Sequence, residues 1–95
     1  MKEVPLTQGK VALVDDEDYE RVNQFKWMAQ QYRRGRFRAI HTVWLGNNKS
    51  STIYMHRFIL GITDPKIEVD HISHNELDNQ KSNIRAWTHQ ENMCN

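Results

Sequence analysis

Glu68-Val69-Asp70-His71-Ile72-Ser73-His74-Asn75-Glu76-Leu77-Asp78-Asn79-Gln80-Lys81-Ser82-Asn83-Ile84-Arg85-Ala86-Trp87 is the stretch on which the fold turns. Val69 and Ile72 bracket an Asp-His pair, as in a strand that runs into a loop. The residues that follow are mostly polar turn formers. Ile84-Arg85-Ala86-Trp87 then reads as a second short strand. Thr88 has Glu91 three residues further on, the capping-box spacing, which predicts a final helix. The expected order is therefore strand, long polar loop, strand, helix. Neighbours on a regular strand face opposite sides, so Asp70 and His71 converge only where the strand leaves its register. A helix laid across the strand ends brings Asn92 to the same point.

Working outward, Met55-His56-Arg57-Phe58-Ile59-Leu60 reads as a short apolar helix, stopped by Gly61 and by Pro65 beyond it. Residues 26–31 and 36–45 read as two strands around an Arg33-Arg34-Gly35 turn, with aromatic and β-branched residues alternating with polar ones. After the turn cluster Gly46-Asn47-Asn48-Lys49-Ser50, residues 51–54 form another strand. Residues 5–14 read as a hairpin turning at Gly9. Asp15-Asp16 offers an N-cap, and Glu17 and Asp18 place negative charge in the first turn of a helix that runs to about Gln24. Two-stranded sheets rarely stand alone, so the strands are expected to share one antiparallel sheet with the helices packed on it. The class is a small α+β fold.

Ninety-five residues, 38% hydrophobic and 26% charged, leave room for one core and not two. No apolar run reaches the ~20 residues of a membrane span. The start, Met1-Lys2-Glu3-Val4-Pro5, lacks the apolar core of a signal peptide. Cys94 is the single cysteine, which excludes an internal disulfide and any zinc site of paired thiolates. These features together predict a reduced, cytoplasmic protein with no membrane partner.

A net charge of +1 hides an uneven distribution. Between Glu20 and Asp64 there is no acid, while Arg21, Lys26, Arg33, Arg34, Arg36, Arg38, Lys49 and Arg57 all fall there. From Asp64 onward the balance reverses. A basic middle before an acid-bearing tail fits a polyanion-binding face beside a cation site. Other candidates have plainer readings. The acids at 15–18 are read as helix capping, His41 and His56 as structural, and His89 as a surface residue. Trp27, Trp44 and Trp87 are read as core anchors.

Asp70-His71-Ile72, Leu77-Asp78-Asn79, Asn83-Ile84-Arg85 and Glu91-Asn92, in that order and spacing, resemble the HNH endonuclease family. The similarity is to the phage and intron-encoded homing type with a ββα-metal site, and it covers about residues 53–95. On that division residues 1–52 form a β-rich segment with one helix and the basic hairpin, within the same compact domain. The resemblance implies that His71 is the general base that takes a proton from the attacking water. It implies that Asp70 and Asn92 bind one divalent cation, Mg²⁺ or Mn²⁺, with no small-molecule cofactor. Asn83 is then the middle asparagine, whose side chain holds the loop so that His71 is placed. A carboxylate and an amide oxygen suit a hard ion, and an ordinary imidazole offers a neutral base near pH 7. The partner implied is double-stranded DNA. Arg33, Arg34, Arg36 and Arg38, with Arg57, are the candidates for phosphate contacts.

Two positions depart from the family pattern. His74 stands where glycine is usual, which predicts strain if that backbone has positive φ. Gln80 stands where arginine is usual. They keep open a different class, an inactive DNA-binding module derived from the same fold. A small protein without a DNA partner is a third alternative. Only three residues follow Asn92, so a fragment or a naturally shortened form, with weak metal affinity and weak sequence specificity, is expected.

Overall fold

The computed structural model describes residues 1–88 of the chain. It begins with a hairpin of β1 (Lys2–Pro5) and β2 (Val11–Val14), antiparallel with Val4 opposite Ala12. Val4, Ala12 and Val14 point inward and are buried. The turn of this hairpin docks on the next sheet through Thr7 Oγ1, which accepts from the Ala29 N–H at 3.0 Å, and Gln8 Nε2, which donates to the Ala29 carbonyl at 3.0 Å. Both backbone groups of an edge residue are thereby satisfied, which closes that edge to other strands.

Helix α1 (Asp16–Val22) follows and ends two residues short of Gln24. Its last carbonyl, on Val22, accepts from the buried Trp27 indole N–H at 2.7 Å and from Phe25 N–H at 3.2 Å. Burying Trp27 turns the chain out of the helix. Asp15 sits at the N-cap position with extended backbone, but its side chain makes no capping bond. Its Oδ2 instead accepts the backbone N–H of Lys81 at 2.9 Å. The Lys81 ammonium lies 3.1 Å from Glu17 and 3.3 Å from Asp18. The acids expected only to cap the helix form a clasp around a distant lysine.

Strands β3 (Met28–Arg33), β4 (Arg36–Gly46) and β5 (Lys49–Tyr54) form an antiparallel meander. Asn47 and Asn48 turn the second hairpin, both at positive φ (52° and 60°), as a two-residue turn that follows the strand twist requires. Strand β4 is long enough to run past its cover, so Trp44 is 76% exposed near the hairpin tip. The expectation that Trp44 anchors the core fails for that reason. Trp27 does enter the core, and Trp87 is half-buried with Arg85 stacked on its ring.

Helix α2 (Met55–Leu60) ends at Gly61, whose left-handed backbone (φ 69°) lets its N–H reach back to the Phe58 carbonyl. Strands β6 (Ile67–His71) and β7 (Ile84–Thr88) make the last hairpin. Thr88 thus ends a strand, and the helix expected after it lies outside the described residues.

The strands do not share one sheet. Among the described residues they form two two-stranded sheets and one three-stranded sheet. A single parallel bridge, Leu13 with Asp78, joins the loop after β6 to the free edge of β2. Short strands shape their own small sheets here because all of them feed one core. Val4, Val14, Val22, Trp27, Ala39, Ile59 and Ile84 surround Met55, which is fully buried. The result is a small α+β domain with antiparallel sheets. Among the described residues no helix is long and apolar enough to cross a membrane.

Candidate functional site

Asp70 and His71 close strand β6, paired across the hairpin with Arg85 and Ile84. One more bond, Ile72 N–H to the Asn83 carbonyl at 2.8 Å, ends the ladder before the chain enters the polar loop. Asn83 is 7% exposed and spans the mouth of that loop. Its Oδ1 accepts from Ser73 N–H at 2.9 Å, and its Nδ2 donates to the Asp78 carbonyl at 2.9 Å. One side chain therefore ties both arms of the loop together beside His71.

The partner of His71 is Asn79, with Nε2 and Oδ1 at 2.7 Å. With the amide oxygen turned to the ring, the bond is made by a protonated Nε2, while the Asn79 Nδ2 is buried without a hydrogen-bond partner among the described residues. Asn79 is fully buried, and its own N–H donates to the Leu13 carbonyl at 2.7 Å. The orientation of His71 is thus set through the loop by the backbone of β2. Asn79 belongs to the Asp-Asn element of the sequence pattern, but nothing in the linear order assigns it to the imidazole.

On its other side, the His71 ring meets His56 edge-on, with centroids 5.0 Å apart. Burial, reinforced by the neighbouring His71 and Arg57, pushes the His56 imidazole down to about 4. His56 is therefore neutral at pH 7 and serves as packing for the site, in line with its structural reading.

A cavity of about 400 Å³ opens here, lined by Tyr32, Arg36, Arg38, His56, Val69, Asp70, His71, His74 and Glu76. Asp70 and His71 both reach it, although they are neighbours on a strand. Arg85 holds the Asp70 carboxylate, with Nε at 3.1 Å from Oδ1, in a largely exposed pair. Glu76 accepts from Arg36 at 3.1 Å and from the Tyr32 hydroxyl. Partial burial and the proximity of Glu76 raise the Tyr32 phenol above its ordinary range. His74 has φ 66°, the left-handed backbone that a non-glycine residue occupies under strain.

The basic residues separate by environment. Arg36 and Arg38 line the cavity, whereas Arg33 and Arg34 lie at the exposed end of the β3–β4 hairpin and do not. Arg57 turns the other way and donates to the carbonyls of Ile67 at 2.8 Å and Asp64 at 2.7 Å, which ties α2 to the start of β6. Asn92 lies outside the described residues. A larger groove, about 760 Å³, runs beside β5 and α2 but is lined by no carboxylate or imidazole. Asp15, Glu17 and Asp18 have oxygens within 4.8 Å of one another, close enough for a cation, but the Lys81 ammonium already sits among them. Comparison with models of known families, with curated proteins and with solved structures gives no match for this chain.

Proposed function

We propose that this protein is a metal-dependent DNA endonuclease of the HNH type, with His71 as its general base. The observation that carries the reading is the short bond between His71 Nε2 and the buried Asn79 amide oxygen. In the tautomer with the proton on Nε2, Nδ1 is the basic nitrogen of a ring that lines a cavity with a carboxylate beside it. Nδ1 takes a proton from water, the water oxygen bonds to the backbone phosphorus, the bond from phosphorus to the 3′ oxygen breaks, and the departing oxygen takes a proton from solvent. The products are a 5′-phosphate and a 3′-hydroxyl. Asn83 contributes by holding the loop, and Asn79 by holding the imidazole tautomer.

The donor chemistry fits the divalent cation that this reading requires. Asp70 offers a hard, half-exposed oxygen on a polar cavity, and Mg²⁺ keeps several waters and takes only one or two carboxylates from a protein. Asn92 is the proposed second ligand. Such an ion, when bound, neutralises the developing charge on the phosphate and the leaving oxygen. Arg85 has to share or release Asp70 for that to happen. An exposed pair of this kind holds its partners by only ~0–1 kcal/mol.

That same Asp70–Arg85 pair favours a second reading, a duplex-binding module without catalysis. Supercoiled plasmid incubated with the protein and Mg²⁺ or Mn²⁺ separates the two. Nicking that disappears in His71→Ala supports the endonuclease. Salt-dependent duplex binding with no nicking in either protein selects the binding module.

A further inference from the structure

Among the described residues, the charged side chains lining the His71 cavity are paired, with the exception of one arginine. Glu76 is matched by Arg36, and Asp70 by Arg85. Arg38 has no carboxylate partner among the described residues. Its Nε donates to Gln30 Oε1 at 2.8 Å, and no bond from its two terminal nitrogens is formed among those residues. The guanidinium is nevertheless held in place. It stacks between the rings of Tyr32 and Tyr54, 4.8 Å from each centroid. Tyr54 in turn packs on His56 at 5.9 Å, and His56 on His71 at 5.0 Å. A continuous chain of ring contacts therefore runs from Arg38 to the proposed base.

We propose that Arg38 is the phosphate-gripping residue of this cavity, a fixed cation that receives the backbone phosphate to be attacked. The assignment rests on the endonuclease reading for the identity of that phosphate, but the anion site itself follows from the charge balance and the stacking. A guanidinium clamped by two aromatic faces and one amide loses little freedom on binding, and its planar fork matches two phosphate oxygens. Lysine in its place keeps the charge but loses both the fork and the stacking. This role differs from that of Arg33 and Arg34, which sit on exposed backbone away from the cavity. Contacts there add affinity along the duplex, whereas Arg38 holds the one phosphate next to His71.

Two measurements test it on the full chain, with Arg38→Met and Arg38→Lys as variants. In the first, inorganic phosphate is titrated against ¹⁵N-labelled protein, and the ring signals of His71 and the Nε–H of Arg38 are followed. The wild type is expected to show saturable shifts of both. In Arg38→Met the His71 shift should weaken at least about tenfold, with Arg38→Lys in between. The second measurement compares single-turnover nicking at saturating plasmid with duplex affinity in Ca²⁺. Arg38→Met should lose about 10²-fold or more in rate, the scale of removing one charge-stabilising donor, with affinity nearly unchanged. Arg38→Lys, which keeps the charge, guards against a variant that fails to fold. An unaltered phosphate response in Arg38→Met overturns the assignment. So does a drop in duplex affinity that accounts for the whole drop in rate. A wild type that never nicks, yet shows a phosphate response that Arg38→Met removes, defeats the endonuclease reading and leaves the anion site standing.

Discussion

His71 Nε2 and Asn79 Oδ1 are 2.7 Å apart, and the asparagine is completely buried while the histidine is not. The buried member of the pair is fixed from behind by the Leu13 carbonyl. The first strand pair, remote from the cavity in sequence, thereby positions the side chain that meets the His71 ring.

Replacing Asn79 by Leu should therefore act on the proposed base without touching substrate. The apolar side chain cannot accept from Nε2, and both tautomers of His71 become populated. Stability is expected to fall by about 1–3 kcal/mol, the range for disrupting a buried polar contact. Nicking should fall more than the stability loss explains at a temperature where the variant is folded. Full activity in folded Asn79→Leu would remove this residue from the site.

His56 makes stability depend on pH. Its folded value, about 4, lies below its ordinary 6.5. The unfolded chain therefore binds the proton more readily. The contribution is fully present above pH 6.5 and is lost as pH falls toward 4, by on the order of 2–3 kcal/mol. Urea unfolding between pH 7.5 and 4 should show this slope, and His56→Phe should flatten the part due to this group. An identical pH profile in the variant would assign the slope to other groups.

His74 occupies a left-handed backbone at φ 66°. Glycine there removes a penalty of about 1–2 kcal/mol, offset by about 0.5–1 kcal/mol of extra freedom in the unfolded chain. His74→Gly should raise the unfolding midpoint slightly and leave the ring signals of His71 in place. A clear loss of stability would mean that the His74 side chain makes contacts that outweigh the strain.

Arg33 and Arg34 stand apart from the cavity, so their replacement by Gln should weaken binding to any duplex about equally. For every phosphate that is no longer neutralised, the log–log salt dependence should flatten by roughly 0.9. Unchanged slopes would show that the hairpin end faces solvent in the complex.

Lys81 ties the loop to α1 through Asp15, Glu17 and Asp18. Its ammonium is held above its ordinary range by the hydrogen bonds to Glu17 and Asp18. Lys81→Met should loosen the segment that carries Asn79 and Asn83. Hydrogen exchange at Asn79 and Asn83 N–H is expected to quicken in the variant, with β3–β5 unaffected. Equal protection in both proteins would mean that the Asp15 and Leu13 bonds suffice.

The elements written in short-range patterns were legible from the residues alone. Ile67–His71 and Ile84–Thr88 follow from apolar residues bounding a polar run, and Met55–Leu60 from its apolar content and its glycine stop. Those signals are local because strand alternation, turn chemistry and helix termination depend on a few neighbours. That Asn83 holds the loop beside His71 came from the family resemblance, and in the structure the hairpin brings its two ends together. What the tertiary structure alone decided involves partners far apart in the chain. Asp15 meets Lys81 across 66 residues, and Tyr32 meets Glu76 across 44. Asn79 is buried where β2 offers it a free edge, and among the described residues Arg38 has no carboxylate partner because Arg36 and Arg85 take the two nearby acids. The split of the strands into three sheets has the same origin. Which strand edge is free, and which charge finds a partner, depends on how the elements pack around Met55, and no short window of sequence contains that information.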